Sequence, residues 1–388
     1  MTVIKIQNLN ITNKKILIRA DLNVPMNGTK ITSKARIKAA FKTIKYALQK
    51  RAKVYVMSHL GRPKINDNKE KYSLFPIFKY IQKKITKHKV YFIKQYSEIL
   101  NIKSGELAIL ENVRFNKGEL ENDTVLSKKY AELCDIFVMD AFGTAHRKQA
   151  STYGVSCFSY IACAGFLLQS EIKYLEKVLI KPKKPMIAIL GGSKISTKFN
   201  VLNAICKIAD TVIVGGGIAN TFLAIDNNVG KSLHEPKFII KAKKLQEKYN
   251  IITPIDSRVG VKFKKTEQAI IKNINDIQDN EEIMDFGDKT LKIIEPIIKK
   301  AQTILWNGPV GVFEFPNFSI GTKFIAQKIA NSDSLSIAGG GDTIAVIDKY
   351  KIKKNISYIS TGGGAFLKFI EGNKMPGIKI LKERFKNI

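Results

Sequence analysis

Short apolar runs rich in Val, Ile and Leu recur along this chain, separated by stretches of helical length that carry apolar residues on one face, as in Arg36 to Lys50. Alternation of that kind predicts parallel βαβ units. Nine runs predict strands: KILIRA ending at Ala20, KVYVM at Met57, ELAIL at Leu110, DIFVMD at Asp140, MIAIL at Leu190, TVIVG at Gly215, QTILW at Trp306, SLSIA at Ala338 and ISYIS at Ser360. Each delivers the chain into a polar or glycine-rich motif. In open parallel sheets the loops at that carboxyl edge and the amino ends of the following helices form the ligand crevice, so function is expected there.

The motifs at these strand ends divide the chain in two. The first-half strands lead into RADLNVP (Arg19 to Pro25), SHLGRP (Ser58 to Pro63), ENVRF (Glu111 to Phe115) and DAFGTAHR (Asp140 to Arg147), which are Arg, His and Asn sites. The second-half strands lead into GGSKIS (Gly191 to Ser196), GGGIAN (Gly215 to Asn220), WNGPVG (Trp306 to Gly311), GGGDT (Gly339 to Thr343) and STGGG (Ser360 to Gly364), which are Gly and Lys sites. Between the halves EIKYLEKVLIKPKKP, from Glu171 to Pro185, predicts a helix and then a proline-flanked link. A length of 388 residues agrees with two domains, because single cores stop growing beyond roughly 250 to 300 residues. The expected class is α/β: two doubly wound, Rossmann-like parallel-sheet domains, 1–172 and 185–372, joined by a hinge helix and linker over 173–184.

Arg36, Arg62, Arg114 and Arg147, with His59, suit a small phosphorylated carboxylate, since guanidinium forks grip such anions in bidentate fashion. Singly, each is more often a surface ion-pair partner; together, at the edge of one sheet, they suit an anion. Asp21 and Asn23 can accept hydrogen bonds from substrate hydroxyls or cap a turn. The glycine-rich strand ends form a bed that lets backbone N–H groups approach phosphate. Lys194 and Lys198, four apart, are expected on one face at the start of a helix, aimed at the same phosphates. Asp342, after three glycines, is placed to hold Mg2+ at a phosphate edge or to cap a helix. No GxxxxGK[ST] or strand-linked GxGxxG occurs, which disfavours a P-loop protein and a dinucleotide dehydrogenase.

Composition changes this picture little. Hydrophobic residues at 45% supply a core, and charged residues at 25% leave no reason to expect disorder. A net charge of +32 raises nucleic acid as a partner, but the lysines are scattered among many Ile and Asn with no basic tail, a bias that AT-rich codons produce. Cys134, Cys157, Cys163 and Cys206 lack CxxC spacing, so buried reduced thiols are expected. The start MTVIKIQNLN lacks the features of a signal peptide, which makes a cytoplasmic address the expectation. The uncharged run between Lys148 and Glu171 is broken by polar residues and is expected in a core, not a membrane.

Eight of these motifs in order, RADLNVP, SHLGRP, ENVRF, DAFGTAHR, GGSKIS, WNGPVGVFE, GGGDT and STGGGA, resemble the signatures of the phosphoglycerate kinase family along essentially the whole chain. The resemblance implies 1,3-bisphosphoglycerate and 3-phosphoglycerate on the first domain, Mg-ADP or Mg-ATP on the second, and a phosphoryl group passing between them in glycolysis. It assigns Asp21, Asn23, Arg36, His59, Arg62, Arg114 and Arg147 to phosphoglycerate, with Arg36 and Lys198 also acting on the group in flight. Gly192, Ser193, Lys194, Lys198, Gly215, Gly216, Gly217, Asn307, Pro309, Gly311, Val312, Glu314, Gly339, Gly340, Gly341, Asp342 and Thr343 are implied for the nucleotide, and Asp342 for Mg2+. A monomer is implied, with residues 373–388 returning to the first domain. Ser193, Thr197, Met139, Asp288 and Phe366 depart from the family pattern, where Ala, Asp, Asn, Pro and Ser are usual. The acceptor is already an anionic oxygen, so direct in-line transfer without a general base or phosphoenzyme is expected. A basic nucleic-acid-binding protein on the same scaffold is the alternative, distinguished by a steep salt dependence.

Overall fold

The computed structural model describes residues 3–64, 67–96 and 101–386, with the backbone alone for Lys386. The chain forms two compact units, one running to Lys173 and taking up the chain again from Asn373, the other Tyr174–Gly372. The division falls inside a helix, Phe166–Leu179.

In the first unit β1 (Lys15–Ala20), β2 (Lys53–Met57), β3 (Val90–Ile93), β4 (Leu107–Leu110), β5 (Ile136–Asp140) and β6 (Ile161–Ala164) form one parallel sheet in the order β3-β4-β2-β1-β5-β6. Ile16 lies opposite Val54 on one side and Ile136 on the other. The second unit repeats the plan with β7 (Met186–Leu190), β8 (Thr211–Val214), β9 (Ile251–Ile252), β10 (Thr303–Asn307), β11 (Leu335–Gly339) and β12 (Tyr358–Ser360), in the order β9-β8-β7-β10-β11-β12. An antiparallel sheet of Asp256–Gly260, Ile270–Asn273 and Glu282–Phe286 is added to it.

The nine expected strands are all present, and the three parallel strands that the pattern did not announce, β3, β6 and β9, stand at sheet edges. For β3 and β9 the reason is burial. Strands such as β4, β5, β7 and β10 are covered on both faces and read as unbroken apolar runs, whereas β3 and β9 are half-exposed and carry a weaker signal. Ile16, Ile18, Val54, Val56 and Ile109 pack with Ile37 and Ile44 of the helix Ala35–Gln49 in the first core. Ile187, Ile189, Ile304 and Trp306 pack with Ile294, Ile298, Ile325 and Ile329 in the second.

Both sheets reverse direction of growth at one place: beside β1 and β5 in the first unit, and beside β7 and β10 in the second. A crevice opens beyond the carboxyl ends of strands at such a point. The carboxyl-terminal helix Pro376–Lys386 packs on β6 and on the short helix Val155–Phe158, and Gly377 N–H donates to Ala145 O at 3.0 Å. Asn387 and Ile388 lie outside the described residues. The uncharged run after Lys148 is mostly buried, as expected, with Phe158 and Tyr160 exposed, and among the described residues no helix is long and apolar enough to cross a membrane.

The connecting helix starts at Phe166, ahead of the expected Glu171. Its first turn is held by Asp140, whose Oδ1 accepts from the N–H groups of Leu167 at 2.9 Å and Leu168 at 3.1 Å. A cap from a strand end 27 residues earlier leaves no local signal. Full burial pushes the Asp140 carboxyl up from 3.8 to about 7. Between those values the folded chain binds the extra proton, so the stability this group contributes is full below about pH 4 and is lost as pH rises through about 7. Asp140→Asn keeps the accepting oxygen and removes the titration. Relative to the parent, its melting temperature at about pH 8 should exceed that at about pH 4.5 by a few degrees; an offset equal at both pH values would contradict this.

Candidate active site

At the carboxyl edge of the first sheet, the loops are tied to one another before any ligand arrives. Ser58 Oγ accepts from Leu22 N–H at 2.9 Å, Asn23 Oδ1 from Gly61 N–H at 2.8 Å, and Asn112 Nδ2 donates to the carbonyls of Leu60 and Tyr72 at 2.8 and 2.9 Å. Asp21 also accepts from Asn23 N–H at 3.1 Å, which is the turn-making reading of this motif. Arg36, in the first turn of its helix, donates to Asn23 O at 2.7 Å and to Asp21 at 3.4 Å. Arg114 donates to Gly61 O, and Arg147 lies beside His146 at 3.3 Å.

These side chains share one electrostatic neighbourhood. Burial, then the positive charges of Arg147, Arg19 and Arg62, pushes Arg114 down to about 10. Arg147 is lowered by burial and then by Arg62 and Arg19. His59, 3% exposed, is held well below its ordinary value by burial and then by Arg19, Arg114, Arg147 and Arg36. Of the carboxylates, Asp21 and Glu119 act on this group, and Glu119 is itself pushed up to about 7 by burial. Cations crowded at such expense are stabilised by a polyvalent anion, and an anion with a hydroxyl-bearing frame has Asp21 and Asn23 beside it.

The second unit offers a backbone site. After β7 the chain turns at Gly191 and Gly192, after β8 at Gly215 and Gly216, and after β10 at Gly308. These turns touch: Gly216 N–H donates to Val310 O at 3.0 Å, and a Cβ on Gly191 would lie 1.7 Å from Pro309 O. A Cβ on Gly217 would lie 2.0 Å from Ser193 O, so only glycine permits this approach. Gly340 adopts φ 101°, with Asn307 Nδ2 nearby and bonded to Gly339 O at 2.6 Å. Asn307 Oδ1 is buried without a hydrogen-bond partner among the described residues. Thr343 Oγ1 accepts from Gly308 N–H and donates to Gly339 O, both at 2.8 Å, which commits its proton to shaping the loop. Gly311 and Val312 continue this loop, with Gly311 against Asp285 and Val312 N–H bonded to Met284 O at 2.8 Å; Glu314 is exposed beyond them.

One expectation is corrected. Lys194 and Lys198 do not share a helical face, because Gly192 to Lys198 is loop and the helix begins at Phe199. Lys194 is exposed, whereas Lys198 turns its ammonium back onto Gly191 O at 2.6 Å and Asn307 O at 3.4 Å. Burial pushes Lys198 down to about 8 against the opposing pull of Asp342. Asp342 is exposed in the first turn of the helix Gly341–Lys349, and Gly340 is the capping position, so Asp342 is not the cap. Its carboxylate makes no hydrogen bond or salt bridge among the described residues, and no cluster of three His, Cys, Asp or Glu residues able to hold a metal occurs among them. That donor set fits a Mg2+ that arrives on nucleotide phosphates and takes one carboxylate from the protein.

Four of the departures from the family pattern have a local setting, and Ser193 has no structural explanation. Asp288 opens the helix Asp288–Lys300 and pairs with Arg258, placing negative charge where a helix start favours it. Phe366 is fully buried and packs its ring against Gly339, so the bulk is absorbed beside the glycine loop. Met139 is core in β5, and Thr197 Oγ1 donates to Lys194 O at 2.9 Å. The sequence alone assigns no role to Arg19, Ser58, Asn112, Glu119 or Ser151, which support the first site. A charged residue in the apolar run KILIRA is the one available signal, pointing to Arg19.

Residues 6–373 match the family model described as phosphoglycerate kinase. Named phosphoglycerate kinases from Buchnera aphidicola are similar throughout: that of subsp. Acyrthosiphon pisum (strain Tuc7) is 65% identical over 387 residues, covering 100% of this chain and 99% of the relative. That of subsp. Baizongia pistaciae is 59% identical, covering 99% and 98%. Among solved structures, phosphoglycerate kinase from Coxiella burnetii superposes with a TM-score of 0.93 at 46% identity, covering 99% of this chain and 100% of that one. The enzyme from Pyrococcus horikoshii OT3 superposes with 0.86 at 32% identity, covering 99% and 100%.

Proposed function

This chain belongs to the phosphoglycerate kinase family, a phosphotransferase of glycolysis with a carboxyl group as acceptor, and on that premise we propose how its own residues carry the reaction. Arg62, Arg114, Arg147, His59, Asp21 and Asn23 bind the phosphoglycerate, and the loops at Gly192–Lys194, Gly215–Gly217, Asn307–Glu314 and Gly339–Thr343 bind the nucleotide. A terminal phosphate oxygen of ADP attacks the acyl phosphate in line, the bond from phosphorus to the carboxyl oxygen breaks, and the carboxylate leaves. Reversal consumes ATP. No proton has to move, so the protein positions and neutralises. Mg2+, held by Asp342 together with the nucleotide phosphates, supplies charge neutralisation when bound. Arg36 stabilises the equatorial oxygens from the phosphoglycerate side. Lys198 does so from the nucleotide side, exchanging the carbonyls of Gly191 and Asn307 for phosphate oxygen.

The observation that carries this reading is the gathering of Arg36, Arg114, Asp21 and Asn23 on tied loops at one sheet edge, beside Arg147 and His59. There burial first and neighbouring arginines second lower Arg114, Arg147 and His59, a state that a bound phosphoglycerate relieves. The helix Phe166–Leu179 serves as hinge, and closure of the units excludes the water that would hydrolyse the acyl phosphate. The enzyme works as a cytoplasmic monomer. A coupled assay with Mg-ATP and 3-phosphoglycerate should show saturable turnover that needs both substrates and the divalent cation. Absence of turnover with well-folded protein sinks the assignment of residues. A scattering radius unchanged when both substrates are bound removes the closure step.

A further inference from the structure

Arg19 is a charged residue inside β1 with its guanidinium fully buried and every donor nitrogen engaged. Nε donates to Ser151 Oγ at 2.8 Å, Nη1 to Ala20 O at 2.6 Å, and Nη2 to Nδ1 of His59 at 3.4 Å. Ser151 is fixed in turn by Glu119, its hydroxyl donating to Oε1 at 2.6 Å and its N–H to Oε2 at 3.0 Å. The result is a directed line of hydrogen bonds from a buried carboxylate, through a serine and an arginine, to the histidine of the first site.

A guanidinium offers donors and no acceptor, and it keeps its proton in proteins. Nδ1 of His59 must therefore accept, which leaves the single proton of the neutral ring on Nε2. A second proton, on Nδ1, would set two N–H groups against each other in a buried space. We propose that Arg19, anchored to Glu119 through Ser151, is a positioning residue that locks His59 as the neutral Nε2–H tautomer, so that this histidine presents the phosphoglycerate with an oriented hydrogen-bond donor and not with a charge or an acid. The proposal rests on the reading that His59 meets the phosphoglycerate. The surroundings agree with it: the charged groups acting on the ring are Arg19, Arg114, Arg147 and Arg36, and all of them oppose a cationic histidine. A neutral donor adds direction to a site that already has charge in excess.

The test uses the full chain labelled with 15N-histidine, which has four histidines, with His59 assigned through a His59→Gln variant. Long-range 1H–15N spectra distinguish the tautomers directly. From about pH 5.5 to about pH 8, Nε2 of His59 is expected as a protonated nitrogen and Nδ1 as an unprotonated one, with no titration near the ordinary value of about 6.5. Nδ1 protonation, or titration in that range, overturns the proposal. Arg19→Lys removes the fork, and should produce a tautomer mixture or a titrating His59 together with a rise of about tenfold in the KM for 3-phosphoglycerate at unchanged KM for Mg-ATP. A purely structural role would leave the His59 spectrum unmoved. Should Arg19→Lys not fold, Ser151→Ala loosens the same line and is expected to give the same spectral change; unaltered His59 signals in the variant that folds also overturn it. Separately, a wild-type spectrum with the expected tautomer that 3-phosphoglycerate does not shift rejects the substrate contact while the Arg19 lock stands.

Discussion

Arg36→Ala is expected to lower turnover about a thousandfold while changing the KM for 3-phosphoglycerate by less than about tenfold. The guanidinium is parked on Asn23 O and Asp21, and in the proposed assignment the first-site anion is held by Arg62, Arg114 and Arg147. Its special contribution is therefore to charge that develops on the equatorial oxygens during transfer, and a thousandfold loss corresponds to about 4 kcal/mol of transition-state stabilisation. Lys198→Ala should show the same pattern from the nucleotide side, and the lysine adds a pH signature. With its pKa pushed down to about 8 by burial, Lys198 is cationic below that pH and loses its proton above it in the free enzyme. The kcat/KM for nucleotide should accordingly fall as pH rises through about 8, and Lys198→Arg should abolish that fall. Steady-state kinetics of the variants decides the matter: turnover of Arg36→Ala within tenfold of the parent, or a nucleotide profile flat to about pH 9.5, would remove these roles.

The second large effect is expected from one methyl group. In Gly217→Ala the new Cβ would stand 2.0 Å from Ser193 O and 3.0 Å from Leu233 O, both of them backbone atoms that cannot rotate away. Relief requires the Gly192–Lys194 loop to retreat from the amino end of the helix Gly216–Leu223, which separates the amides that are to share the phosphates. Overpacking of this kind costs about 1–3 kcal/mol, so the KM for Mg-ATP should rise by about ten- to a hundredfold. Calorimetric binding of 3-phosphoglycerate, whose proposed residues belong to the other unit, should be unaffected. Equal loss of both ligands would mean that the substitution unfolds the chain and says nothing about the nucleotide bed; an unchanged KM for Mg-ATP would reject the bed itself.

Much of this architecture was legible because the signals were local. The central strands are covered on both faces and are written mainly in apolar residues, and the motifs come directly after them. Where coverage drops, so does legibility, as at the two-residue strand Ile251–Ile252 and the antiparallel sheet around Asp256–Gly260, whose partner strand Ile270–Asn273 is largely exposed. The paired lysines show a different failure. Their spacing of four suggests a helical face, yet the segment bends as a loop so that Lys198 can reach Gly191 O, and spacing has no meaning without the helix. The start of the connecting helix escapes a local reading because Asp140, its cap, comes from β5.

Hydrophobic periodicity and contiguous motifs are properties of neighbours along the chain, and they were enough to specify the doubly wound α/β plan, the family, and which residue types stand at the carboxyl edge of each sheet. How those residues are held is a matter of packing: Arg19 reaches His59 and is tied to Glu119 through Ser151, Thr343 commits its hydroxyl to Gly308 and Gly339, and Lys198 rather than Lys194 is the buried ammonium. Glu119 and Ser151 are 32 residues apart, and Arg19 and Ser151 are 132 apart. Hydrogen-bond partners, burial and the resulting pKa shifts arise between segments that meet only in the folded chain, and no pattern within one segment encodes them.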